Sequence, residues 1–158
     1  MNILLTKLTN DSHRLEIVRA DGTRESATLP TRSYLVHDLL HLAVESEAAL
    51  DTGFWGALAR GKTLTDMNDR SGQSMGAASA ELLVVEQIVG VLTAATKGAA
   101  PAEVLAALDR WTEAEGRPLP PWLDEPFVVR AQERWRAFMG HWRATPFGQT
   151  MTLEWARR

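Results

Sequence analysis

Two polar turns within the first 30 residues constrain the fold most strongly. Residues 9–12 (Thr-Asn-Asp-Ser) and the pair Asp21 and Gly22 separate three short runs of residues typical of strands. Such residues favour tight turns, and a tight turn between two strands makes them run antiparallel. The runs at 3–8, 13–19 and 24–29 therefore predict an antiparallel meander of about three strands.

After residue 33 the apolar pattern changes to the spacing of helices. It continues through four or five segments bounded by glycine or proline: 34–50, 54–60, 77–97, 101–115 and 124–143. Gly53 is predicted to end the first of these helices. Residues 150–155 (Thr-Met-Thr-Leu-Glu-Trp) alternate strictly, which is the period of a strand with one buried face.

These patterns predict a single domain, residues 1–158, of the α+β class. The N-terminal meander and a returning C-terminal strand would pack against a bundle of about four to five helices.

Composition excludes several classes of function. The net charge is -3 and there is no run of basic residues, so a nucleic-acid partner is not expected. The chain has no cysteine, which fits a reducing cytoplasm and excludes thiolate chemistry.

The longest apolar stretch, 82–95, contains Glu86 and is shorter than the roughly 20 residues of a membrane span. Phosphate-loop and serine-hydrolase motifs are absent, so no small-molecule partner is identifiable. We expect a cytoplasmic protein.

The segment Val-His-Asp-Leu-Leu-His-Leu-Ala-Val-Glu, residues 36–45, has the spacing of a metal site. His37, His41 and Glu45 are four residues apart, so on a helix they form one stripe, with Asp38 at its edge. Two imidazoles and a carboxylate on adjacent turns can bind one cation. His37, Asp38, His41 and Glu45 are therefore candidate ligands for zinc, manganese or iron, with Asp38 either a ligand or an orienting group. No cofactor is certain from the sequence.

A simpler interpretation is a solvated helix face, because Leu35, Leu39 and Leu42 centre on the opposite side of the helix. Glu86 bears on the choice because it interrupts the apolar run 84–89, where an unpaired buried charge would cost about 3–5 kcal/mol. Glu86 would either be a further ligand of the same metal or form a salt bridge with an arginine. Glu45 and Glu86 are also the candidate catalytic carboxylates.

The string Val-His-Asp-Leu-Leu-His, residues 36–41, resembles the H-D-x-x-H metal motif of Coq4-type ubiquinone-biosynthesis proteins. The resemblance covers six residues and implies zinc binding by His37, Asp38 and His41. The motif of that family continues to a glutamate twelve residues after the second histidine, and this chain has Gly53 at that position.

Two hypotheses of function follow. Six tryptophans, several of them on predicted helices, suggest a domain that acts by protein association, as a homo-oligomer. The histidine helix suggests instead a metal-dependent enzyme of the hydrolase or lyase type, with a His-His-carboxylate site on helix 34–50.

Overall fold

A computed structural model describes residues 1–68, 80–95, 98–116 and 118–156. The described residues form four strands and six helices, which confirms the α+β class. The strands are β1 (Asn2–Lys7), β2 (Ser12–Val18), β3 (Arg24–Pro30) and β4 (Thr150–Glu154). The helices are α1 (Thr31–Ala48), α2 (Phe54–Ala59), α3 (Leu64–Asn68), α4 (Ala80–Ala95), α5 (Pro101–Glu115) and α6 (Glu125–Ala144).

The strands form one antiparallel sheet in the order β3-β2-β1-β4. The predicted turns separate the strands, and Gly22 takes the positive φ of 84° that glycine adopts without strain. Leu5 pairs with Leu15 of β2 and with Met151 of β4, and all three side chains are buried on one face. The meander and the returning C-terminal strand are both confirmed.

Helix α1 lies between two groups of core residues. Leu35, Leu39 and Leu42 pack towards the buried face of the sheet. Leu40 and Val44 pack on the other side, in a cluster with residues of α4, α5 and α6. Because α1 is covered on two sides, its apolar arc is wide, and its polar stripe is not the face of a surface helix.

The end of α1 differs from the prediction. The helix stops at Ala48, and Ala49 takes the left-handed conformation, with φ 53° and ψ 41°. Gly53 is instead the residue that precedes α2, in an extended conformation. The prediction that Gly53 ends α1 was wrong, because an alanine occupies the left-handed position that glycine usually takes.

Helices α2, α4, α5 and α6 correspond to the remaining predicted segments. Asp124 caps α6, since its carboxylate accepts a hydrogen bond from the Phe127 amide at 2.8 Å. The predicted helix 77–97 corresponds to α4, while residues 77–79 and 96–97 lie outside the described residues. Helix α3 lies between two of the predicted segments, and residues 69–76, which follow it, also lie outside the described residues.

Candidate metal centre

The polar stripe of α1 points into the protein. The side chains of His41 and Glu45 are 0 % exposed, Asp38 is buried, and the His37 side chain is 42 % exposed. The solvated-face interpretation is therefore wrong for His41 and Glu45. Buried groups of this polarity need partners, because an unpaired one costs several kcal/mol. Helices α2 and α4 supply those partners.

Glu86 of α4 faces both histidines. Its Oε2 lies 3.5 Å from His37 Nε2, and its Oε1 lies 3.3 Å from His41 Nε2. One ligand atom from each of the three residues lies within 4.8 Å of the other two. Within the described ranges, this is the group of histidine and carboxylate side chains that converges closely enough to hold a metal ion. Glu86, which the sequence indicated would need a partner, pairs with two imidazoles instead of an arginine.

Glu45 holds the other side of the His41 ring. Its Oε1 lies 3.2 Å from His41 Nδ1 and accepts a hydrogen bond from the Phe54 amide at 2.8 Å. Its Oε2 accepts a hydrogen bond from the Trp55 amide at 3.0 Å. A carboxylate that takes these donors acts as an acceptor only, so Nδ1 of His41 carries the hydrogen and donates it. In the neutral imidazole the lone pair is therefore on Nε2, which faces Glu86.

Nε2 of His41 is buried and has no hydrogen-bond partner of suitable geometry. Its approach to Glu86 is an ion-pair contact and not a well-directed hydrogen bond. Leaving a buried polar atom without a hydrogen bond costs about 1–3 kcal/mol. Since the opposite nitrogen is fixed by Glu45, the ring cannot turn to relieve this cost without breaking that bond.

The charges of the cluster reinforce each other. Hydrogen bonding to Asp38, at 3.4 Å, and the proximity of Glu86 raise the pKa of His37 to about 9, against the opposing effect of burial. Burial lowers the pKa of His41, but Glu45 and Glu86 outweigh it and the net shift is upwards. Burial likewise opposes ionisation of Glu86, yet the two imidazoles hold the pKa of its carboxyl well below the usual range. The metal-free cluster is therefore an ion-paired group at neutral pH.

Helix α2 forms one wall of the site. The Phe54 ring packs against the His41 ring, with centroids 5.7 Å apart, and the indole of Trp55 donates to the backbone carbonyl of Asp38 at 3.1 Å. Sequence reasoning missed these two aromatic residues. The available signal was the compact string Gly-Phe-Trp-Gly, residues 53–56, directly after the histidine helix.

The four ligand candidates on α1 divide into two pairs. His37 and His41 converge with Glu86. Asp38 and Glu45 each contact the Nδ1 atom of a histidine, on the side of the ring away from Glu86. In proteins, a carboxylate on the second nitrogen of a ligating histidine fixes the tautomer and orientation of the ring.

The fold and the cluster together define a small α+β domain with a candidate two-histidine, one-carboxylate centre. No protein-family model matches the chain, and no curated protein or solved structure is detectably similar to it. The resemblance of residues 36–41 to the ubiquinone-biosynthesis motif stays a prediction. In the part of the chain that the structure describes, no helix combines the length and apolar character needed to cross a bilayer.

Proposed function

We propose that this protein binds one divalent transition-metal ion through His37, His41 and Glu86, and that it is a metal-dependent enzyme of the hydrolase or lyase type. The observation that carries the proposal is the buried Nε2 of His41. This atom makes no well-directed hydrogen bond, although Glu86 lies 3.3 Å away. The Glu45 carboxylate on Nδ1 holds the ring in place, and Nε2 faces a second imidazole and an acid.

The spacing of the three side chains supports a metal ion. Two ligands at about 2.1 Å from a tetrahedral ion lie about 3.4 Å apart. The two histidine–Glu86 contacts measure 3.3 and 3.5 Å. Charge-assisted hydrogen bonds between nitrogen and oxygen are shorter, at about 2.7–2.9 Å. Both contacts are longer than such a hydrogen bond and are made by different oxygens of Glu86, and a shared ion would give all three groups a common partner.

The donor atoms narrow the choice of metal. Two imidazole nitrogens and one carboxylate oxygen suit zinc, manganese or iron(II), whereas magnesium and calcium favour oxygen ligands alone. Asp38 and Glu45, which the sequence offered as ligands, would then act as the orienting carboxylates of His37 and His41.

Three protein ligands leave at least one coordination position for water or for a substrate oxygen. A divalent ion held by these residues would supply Lewis-acid chemistry: it would activate water as a nucleophile and polarise carbonyl or phosphoryl groups. The side chains of His37 and Glu86 are 42 % and 44 % exposed, so the ion would be accessible from solvent on that side. Glu45 already accepts from three amides and an imidazole, so in this proposal it positions His41 and does not exchange protons with substrate.

Metal analysis tests the proposal directly. Protein purified without a histidine tag and incubated with zinc, manganese or iron(II) should retain about one equivalent after dialysis. His41→Ala and Glu86→Ala should lose it, while His141→Ala, which removes an exposed histidine of α6, should retain it. No stoichiometric metal in the wild type, together with a melting temperature unchanged by all three ions, would remove the proposal.

The association hypothesis stays a prediction. Trp55, Trp142 and Trp155 are buried within the chain, so their side chains are not available to a partner. We therefore give it second place, and light scattering at high micromolar concentration tests it, since a monomer would contradict it. We also propose a cytoplasmic location, which is compatible with the absence of cysteine.

A further inference from the structure

We infer that Gly53 is a positioning residue of the metal centre, because its missing side chain provides the space in which the Glu45 carboxylate reaches both α2 and His41. The inference rests on the proposed function for its link to the metal. The contact between Gly53 and Glu45 belongs to the fold and can be tested without a metal.

The steric relation is close. A Cβ atom built on Gly53 would lie 2.3 Å from Cδ and 2.5 Å from Oε2 of Glu45, distances that side chains in real proteins do not show. The backbone of Gly53 has φ -71° and ψ -168°, which any residue can adopt. Glycine is therefore needed at this position for space and not for conformational freedom.

The Glu45 carboxylate cannot move away from a side chain at position 53 without losing hydrogen bonds, because both of its oxygens accept them. Oε1 accepts from His41 Nδ1 and the Phe54 amide, and Oε2 accepts from the Trp55 amide and, at 3.5 Å, from the Gly56 amide. Moving the carboxylate away from position 53 breaks one or more of these bonds. Because Glu45 is 0 % exposed, water does not replace them at low cost.

A side chain at position 53 would therefore affect metal binding indirectly, first through Glu45 and then through His41. It displaces the carboxylate, which releases Nδ1–H of His41 and with it the fixed orientation of Nε2. Loss of such an orienting partner typically weakens metal affinity about 10- to 100-fold. Gly53 contributes no ligand atom, so its effect should disappear when Glu45 is removed.

A double-mutant cycle on zinc affinity, measured by competition with a chelating dye, tests this chain of contacts. We expect Gly53→Ala to weaken zinc binding about 10- to 100-fold. In a Glu45→Ala background, Gly53→Ala should have no further effect, because the group with which it collides is gone. Gly140→Ala, at a helical glycine with open space around it, should bind zinc as the wild type does.

The Glu45→Asp background gives a second cycle in case Glu45→Ala does not fold. Aspartate is one methylene shorter, which withdraws the carboxylate from position 53, so Gly53→Ala should again have little further effect. If Gly53→Ala binds zinc like the wild type, or weakens binding equally in all backgrounds, the inference is overturned. It is also overturned if Gly53→Ala prevents folding equally in all backgrounds.

A metal-independent measurement separates the two proposals. Nitrogen-15 spectra of the metal-free protein at alkaline pH, where the ring is neutral, report which nitrogen of His41 carries the hydrogen. We expect the Nδ1–H form in the wild type and a mixture of forms in Gly53→Ala. If the spectra change in this way while the wild type binds no metal, the positioning by Gly53 stands and the proposed function falls. Unchanged spectra in Gly53→Ala overturn the inference whatever the metal content.

Discussion

Removal of the Glu45 carboxylate should destabilise the metal-free protein strongly. The side chain is 0 % exposed and accepts from the ring of His41 and from the first three amides of α2, those of Phe54, Trp55 and Gly56. Glu45→Ala removes the acceptor for all of these donors at once and leaves a cavity at a site that solvent does not reach.

The size of the loss follows from the partners. Losing a helix cap costs about 0.5–2 kcal/mol. Each buried donor left without an acceptor costs roughly 1–3 kcal/mol. These two costs cannot be added, because the bonds that cap α2 are the same bonds that the buried amides of Phe54 and Trp55 donate to Glu45. We expect Glu45→Ala to lower the free energy of unfolding by about 3–5 kcal/mol, the range for breaking a buried charged pair. Glu45→Gln keeps one acceptor oxygen and should lose less.

Urea denaturation with a chelator present measures the change, provided that the slope with denaturant is unchanged. Glu47→Ala is the matched control, because Glu47 is on the same helix and its partners Arg130 and Arg134 have side chains that are 52 % and 37 % exposed. Surface ion pairs contribute about 0–1 kcal/mol. A loss below about 1 kcal/mol for Glu45→Ala, or one no greater than for Glu47→Ala, would refute the reasoning about the buried carboxylate.

Three further predictions concern the metal-free protein. Folding raises the pKa of His37 from 6.5 to about 9, so the free energy of unfolding should fall as pH rises from about 6.5 to 9. In urea titrations this fall should be smaller in His37→Gln, which keeps only the contribution of His41, and an equal fall would contradict the prediction. Burial lowers the pKa of His13 below 6.5, so the free energy of unfolding should also fall as pH drops below 6.5. If urea titrations of His13→Gln show an equal fall, burial of His13 is not its cause. Ala49 has a left-handed backbone at φ 53°, so Ala49→Gly should raise the free energy of unfolding by about 1 kcal/mol. If urea denaturation shows Ala49→Gly to be less stable than the wild type, the backbone at Ala49 is not strained.

The sheet could be predicted because its determinants are local. Turn residues at 9–12 and at Asp21 and Gly22 fix antiparallel neighbours, and the alternation of β4 fixes which face is buried. The end of α1 could not be predicted in the same way. A glycine is the usual signal for a helix end, but here Ala49 takes the left-handed conformation and Gly53 serves a different contact.

The candidate site was only partly predictable. The helical period places His37, His41 and Glu45 on one stripe, but which elements cover that stripe depends on contacts between residues distant in sequence. Glu86 could be identified because a carboxylate in an apolar run needs a partner. The contacts of Glu45 could not, because its donors include backbone amides of α2, and a residue pattern does not show where backbone amides point.

If the cluster binds a metal as proposed, its uneven exposure favours a catalytic metal over a structural one. Structural zinc sites are closed by four protein ligands, usually including cysteine, whereas catalytic sites keep a position for water. This chain has no cysteine, and among the described residues the converging group has three members. His41 lies fully buried at the inner side, while His37 and Glu86 are partly exposed. An ion held in this way would be fixed by the protein on one side and open to a substrate oxygen on the other.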